Sequence, residues 1–359
     1  MKSIIIYLFI VFLSHILVGQ GITQHIIKSE NLGEERVVSV FLPENYHESN
    51  QTYPVLYVLD GEYVSDYAKA TADFLSNDFG YLPEIIVVSI PNTDRGRDFY
   101  HLLDAPALAY FAAFFEKEVI NLIDKNYRSN NFRILYGWSS SSGLSMHLMA
   151  KKPDLIKANI LSGSGVGPKG QAFIQSNHSN GSLNGTFLYV NCESGIREKG
   201  LNNFKNLILE LGDDLNQKFE VIETTHVGVL AEGLYRGLNF VFEDYYLTDS
   251  LIKNGFEAII KYYDGLSEMY GFTTQIPAGA INETAGFLIG YEQLDDAQKL
   301  LELGTELYPQ SHFIYGSLAE LFKTRGQLDK AKNCYLDALS KSSDDLVAYT
   351  KYKALLEAL

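Results

Sequence analysis

Residues Ile85 to Ile90 read Ile-Ile-Val-Val-Ser-Ile, an apolar run with almost no polar alternation. A strand of this composition is buried on both faces, and such strands belong to parallel sheets covered by helices. Shorter apolar or β-branched runs accompany it at Val37–Leu42, Val55–Leu59, Arg133–Tyr136, Ala158–Leu161, Thr186–Val190 and Phe219–Ile222. Between and after them, Ala105–Ile123, Leu144–Lys152, Leu201–Leu211 and Leu230–Tyr246 carry helical periodicity. Alternating strands and helices predict an α/β domain over residues 25–247, with a mostly parallel sheet and helices on both faces. Residues 163–185 interrupt the alternation with Gly, Ser and Asn and are expected to form an exposed excursion, a candidate lid over the site. Asn177, Asn180 and Asn184 each open an Asn-x-Ser/Thr triplet there.

The pattern changes after Tyr246. A helical connector over 248–280 contains the periodic run Phe256–Tyr270. Then Gln293-Leu294-Asp295-Asp296-Ala297 recurs as Gln327-Leu328-Asp329-Lys330-Ala331, an offset of 34 residues. That is the length of a tetratricopeptide unit, so 281–359 is expected to be a small all-α repeat domain of two helical hairpins and a closing helix from Asp345. Two units are short of a self-sufficient stack. They are expected to lean on the first domain and either to stabilise it or to bind a protein partner.

The whole chain of 359 residues is 46% apolar and 20% charged, with a net charge of −15. The acidic excess argues against a nucleic-acid partner. Lys2 followed by the apolar run Ile4–Val18 reads as a signal peptide over residues 1–20, cut near Gly19 or Gln20. An uncleaved anchor is the competing reading of the same run. Cleavage implies an exported protein, periplasmic or secreted, with no membrane span left. Cys192 and Cys334 are the only cysteines, fall in different predicted domains, and are read as free thiols.

Gly137-Trp138-Ser139-Ser140-Ser141 stands between the strand at Arg133–Tyr136 and a helix, the strand–turn–helix setting of a nucleophile elbow. Only Ser139 has a glycine two residues before it at a strand end, which selects it among four consecutive serines. On such scaffolds the acid and then the base follow the nucleophile in the chain. His226 follows the last strand run. His101 precedes the serine, His147 lies in the next helix, His178 in the excursion and His312 in the repeat. For the acid, Glu193 lies nearest a strand end and Glu198 is its rival. Glu210, Asp213 and Asp214 read as solvent-facing. The oxyanion donors are expected from the backbone of Ser140 and from Glu62, or Gly61, after the strand Val55–Leu59.

These segments resemble a bacterial esterase family that includes enterochelin and related siderophore esterases, feruloyl esterases and mycolyltransferases. Tyr53–Gly61 is similar to its oxyanion strand, and Ile86–Arg95 with Arg97-Asp98 to its next strand and loop. Gly137-Trp138-Ser139 stands where the family usually has Gly-His-Ser, and His226 with Gly233-Leu234 resembles its last catalytic segment. Trp138 and Ser141 depart from the pattern. The resemblance covers about residues 30–246 and implies an α/β-hydrolase fold and a serine esterase of the Ser139, His226, Glu193 type. It implies no metal and no organic cofactor. The substrate would be a small-molecule or glycan-linked ester. An acyltransferase on the same residues, or a scaffold protein acting through its repeat, are the alternative readings.

Overall fold

The computed structural model describes residues 17–19 and 22–359, apart from 79, 100–102, 196 and 344. The expected signal peptide, residues 1–20, lies outside the described residues except for Leu17–Gly19, and His101 lies outside them too. The described strands are β1 (Leu17–Gly19), β2 (Ile22–Ser29), β3 (Glu34–Phe41), β4 (Tyr53–Leu59), β5 (Ile86–Ile90), β6 (Ser129–Trp138), β7 (Ala158–Ser162), β8 (Phe187–Glu193) and β9 (Asn216–Ile222). They form one sheet in the order β1-β2-β3-β5-β4-β6-β7-β8-β9. The first three pair antiparallel, and every neighbour pair from β5 through β9 is parallel.

Burial on both faces follows from the apolar runs. Along β4, Leu56 and Val58 enter one core layer while Val55, Tyr57 and Leu59 enter the other. The first layer is covered by Gly61–Asp73 and Gly228–Val241. The second is covered by Pro106–Phe114, Ser142–Lys151 and Glu198–Leu211. The segment 163–185 departs from expectation. It holds the helix Pro168–Asn177, and Val166, Ile174 and Leu183 are buried in the second layer. Asp213, read as solvent-facing, has a side chain only 1% exposed beside His178. It accepts from the N–H groups of Gly181 and Leu183, and so fastens that loop to the fold.

The C-terminal part is helical: Phe256–Tyr270, then Ala278–Gly290, Leu294–Leu307, His312–Thr324, Leu328–Lys341 and Leu346–Glu357. The 34-residue sequence offset is also an offset of the backbone. Glu292 and Gly326 both take positive φ, 62° and 70°. The N–H of Gln293 donates to Leu288 and that of Gln327 to Phe322, each at 2.9 Å. These helices continue the first core layer. Phe132 of β6 packs against Phe187, Phe242, Tyr270 and Phe272 with ring centroids 5.5–6.1 Å apart. The Tyr245 hydroxyl donates to the carbonyl of Gln275 at 2.7 Å and that of Tyr308 to Ile276 at 3.1 Å. Phe132 and Phe187 lie toward the N-terminal ends of their strands, so this docking is remote from the strand ends that carry the candidate site.

Because one apolar layer serves both parts, Phe132→Ala should destabilise the protein by about 3–5 kcal/mol. In urea, the fluorescence of Trp138, the only tryptophan and part of the first domain, and the far-ultraviolet signal, to which the tail helices contribute, should move to lower denaturant together. Tail helices that melt at an unchanged midpoint would show that the layer is not shared.

Candidate active site

β6 ends at Trp138, and the chain turns at once into the helix Ser142–Lys151 through the short turn Ser139–Ser141. Ser139 sits at the apex with φ of 56°, a left-handed conformation that costs a residue with a β-carbon. The turn brings the start of the helix back onto the strand. A β-carbon on Gly137 would lie 2.9 Å from both the N and Cα of Ser142, so only glycine fits. Ser141 occupies the position where a second small residue is required, and its side chain is fully buried. Its hydroxyl donates to Asp60 Oδ2 at 2.7 Å and accepts from the N–H of Trp138 at 2.8 Å. Ser140 lines the adjoining cavity, and its hydroxyl is buried without a hydrogen-bond partner among the described residues.

The structure brings Glu193 and His226 together. Glu193 closes β8, and His226 follows β9, the neighbouring strand. His226 Nδ1 lies 3.0 Å from Glu193 Oε1 and 3.1 Å from Oε2. With Nδ1 donating to the carboxylate, the neutral ring keeps its lone pair on Nε2. Trp138, the departure from the family pattern, braces this ring. Its Nε1 donates to the His226 carbonyl at 2.9 Å, and the two rings lie 5.1 Å apart at 30°. Among the described residues no hydrogen bond joins Ser139 to His226, an opening common in unliganded hydrolases.

Glu198, the rival acid, turns away and accepts from the N–H of Gly195 at 2.6 Å. Of the other described histidines between Ser139 and the tail, His147 Nδ1 meets the Leu103 carbonyl at 2.7 Å, and His178 meets Asp213. Burial alone would push the Glu193 carboxyl up. Its backbone hydrogen bond, His226 and Arg197, whose Nε lies 2.7 Å away, together hold it below the usual carboxylate range. A depressed carboxyl contributes stability above its ordinary range and loses it as pH falls through the lowered value. Glu193 therefore stays ionised under mildly acidic conditions.

Beyond β4, Asp60 also has positive φ, 55°, and the helix Gly61–Asp73 begins immediately after it. The first N–H groups of that helix have no partner within the helix. A β-carbon on Gly61 would fall onto Ser89 of β5, so the strand ends close tightly around this turn. The Glu62 carboxylate accepts from the Asn92 backbone at 3.0 Å and its amide at 2.7 Å. Ser139 and Ser140 open onto a cavity of about 500 Å³ with apolar walls from Phe99, Leu103, Met146 and Val166, and with Lys169 at its lining.

If Glu193 orients His226, Glu193→Gln should lower kcat by about 10²–10⁴-fold on a nitrophenyl ester. Glu198→Gln should stay within about threefold, as a surface change should. The reverse ranking would transfer the role to Glu198.

Residues 29–186 match the family described as "Putative esterase". That span holds Asp60 and Ser139 and stops short of Glu193 and His226. No curated protein matches the sequence. Among solved structures, an IroE-like serine hydrolase from Shewanella oneidensis is similar at 22% identity and a TM-score of 0.66, over 79% of this chain and 99% of that one. An uncharacterised protein from Capnocytophaga ochracea is similar at 15% identity and 0.60, over 94% and 99%. The BES protein from Bacillus cereus matches at 18% and 0.53, over 64% and 98%. At these identities the likeness is one of fold. The Capnocytophaga structure extends it to nearly the whole chain, so the sheet with its helical tail recurs as a unit.

Proposed function

We propose that this chain, whose residues 29–186 carry the esterase family's domain, hydrolyses carboxylic esters through a Ser139-His226-Glu193 triad and an acyl-enzyme. The observation that carries the reading is the Glu193–His226 pair on adjacent strand ends, beside a serine held in left-handed backbone. His226 Nε2 takes the Ser139 proton as Oγ attacks the ester carbonyl, and the imidazolium is stabilised by the ionised Glu193. The N–H groups of Ser140 and of Glu62 or Gly61 receive the oxyanion. The alcohol leaves with the proton from His226. Water, deprotonated by the same ring, then releases the acid and restores Ser139. The cavity walls suit an apolar acyl or aryl group of a small-molecule or glycan-linked ester.

The scaffold alternative is disfavoured by the strain kept at Ser139, which a retired site has no reason to hold. Transfer of the acyl group to an alcohol uses the same acyl-enzyme and differs only in the acceptor. A tetratricopeptide-like tail with its apolar face buried against the first domain is read as a support, and export to the periplasm or medium remains part of the proposal. Among the described residues no helix is long and apolar enough to cross a membrane.

Ser139→Ala should abolish labelling by a fluorophosphonate and lower kcat on nitrophenyl esters by about 10⁴-fold or more, since the triad acts as a unit. Label kept by Ser139→Ala and lost in Ser140→Ala or Ser141→Ala would move the nucleophile.

A further inference from the structure

A buried carboxylate outside the triad links the two halves of the candidate site. Asp60 is fully buried. Its Oδ1 accepts from Arg95 Nε and from the Asn92 amide, both at 2.7 Å. Its Oδ2 accepts from the Ser141 hydroxyl at 2.7 Å and from Arg95 Nη2 at 3.1 Å. The same Nη2 reaches the Trp138 carbonyl at 3.1 Å, and the guanidinium lies 5.4 Å from the centre of the Trp138 ring. From one carboxylate, bonds therefore run to both neighbours of the Ser139–Ser140 turn, directly to Ser141 and through Arg95 to Trp138.

The main chain of Asp60 leads straight into Gly61 and Glu62, and Asn92 bonds both the Asp60 and the Glu62 carboxylates. The sheet itself does not make this connection. β4 and β6 are in register only as far as Val58 and Tyr136, so the ladder ends before either functional turn begins. Past the end of that ladder, the side-chain bridge joins the nucleophile turn on β6 to the turn after β4.

We propose that Asp60 is a positioning residue that sets the distance between the Ser139 nucleophile and the oxyanion donors after β4. The proposal rests on the triad reading above. It also accounts for Ser141: glycine there would have no hydroxyl to reach the carboxylate. A carboxylate suits the place because it accepts four donors at once, and an asparagine would turn an NH₂ toward Arg95 or Ser141. Asp60 is fully buried and does not line the cavity. Its effect should fall on the transition state, where donor placement matters most, and leave ground-state binding alone.

The test compares Asp60→Asn and Ser141→Ala with the unaltered full-length chain. The readouts are kcat and KM on a nitrophenyl ester, inhibition by an alkyl trifluoromethyl ketone that forms a tetrahedral adduct, and fluorophosphonate labelling. Asp60→Asn should lower kcat by roughly 10²-fold, the scale of a misplaced reacting group, with KM within about twofold. The inhibition constant should weaken by the same factor as kcat/KM. Ser141→Ala should show a smaller loss of the same kind, and it carries the test alone if Asp60→Asn does not fold. Peptide mapping should still find the label on Ser139 in both variants, which keeps the triad reading separate; label lost from Ser139 in the unaltered chain would sink that reading instead. In a folded variant, unchanged kcat, a rise in KM alone, or a fall in kcat with ketone affinity intact would overturn the role of Asp60.

Discussion

A serine in left-handed backbone is unfavourable by itself, by about 1–3 kcal/mol, and persists only where its surroundings allow nothing else. Among the described residues three non-glycines have positive φ, and two of them, Asp60 and Ser139, belong to the candidate site. They are one hydrogen-bonded step apart, through Ser141. Gly137 lets the helix Ser142–Lys151 fold back over the strand, Ser141 anchors the turn, and Asp60 anchors Ser141.

The sheet divides the molecule's labour. At the C-terminal ends of its parallel strands the chain leaves in tight turns, and those turns carry Asp60, Ser139, Glu193 and His226, the usual place for a site in an open α/β sheet. Toward the opposite ends, Phe132 and Phe187 meet Tyr270, and the same apolar layer continues into the repeat helices. The tail thus packs against the sheet away from the strained turns. Its two hairpins bury their apolar faces against the first domain and each other, the solution open to an array too short to stand alone.

Much of this was legible in the residues. The run at Ile85–Ile90 announced a doubly covered strand, the glycine two before Ser139 announced the elbow, and the repeated Gln-Leu-Asp announced the helical period. The helix Gly61–Asp73 escaped the sequence reading although Val64, Ala68, Thr71 and Ala72 recur at helical spacing, because these small residues are interleaved with polar ones directly after a turn signal. The segment 163–185 looked exposed because its polar residues outnumber Val166, Ile174 and Leu183, yet those three suffice to seat it. Asp60 lies within the stretch Tyr53–Gly61 that resembles an oxyanion strand, and the sequence alone assigns it no partner. Its signal, an acid followed by glycine with an arginine past the next strand, acquires meaning only once the strand order places β5 beside β4. Glu193 and Glu198 could be separated only by the local path of the chain, since both follow the same strand.

If the site works as proposed, Ser139 becomes acylated during turnover. Rapid quenching of the unaltered protein with a slowly deacylated aryl ester, followed by intact-mass measurement and peptide mapping, tests it most directly. One acyl group per chain, carried on Ser139 and discharged on standing, is the predicted result. Ester hydrolysis that proceeds with no acyl adduct, or with the adduct on another residue, would contradict it.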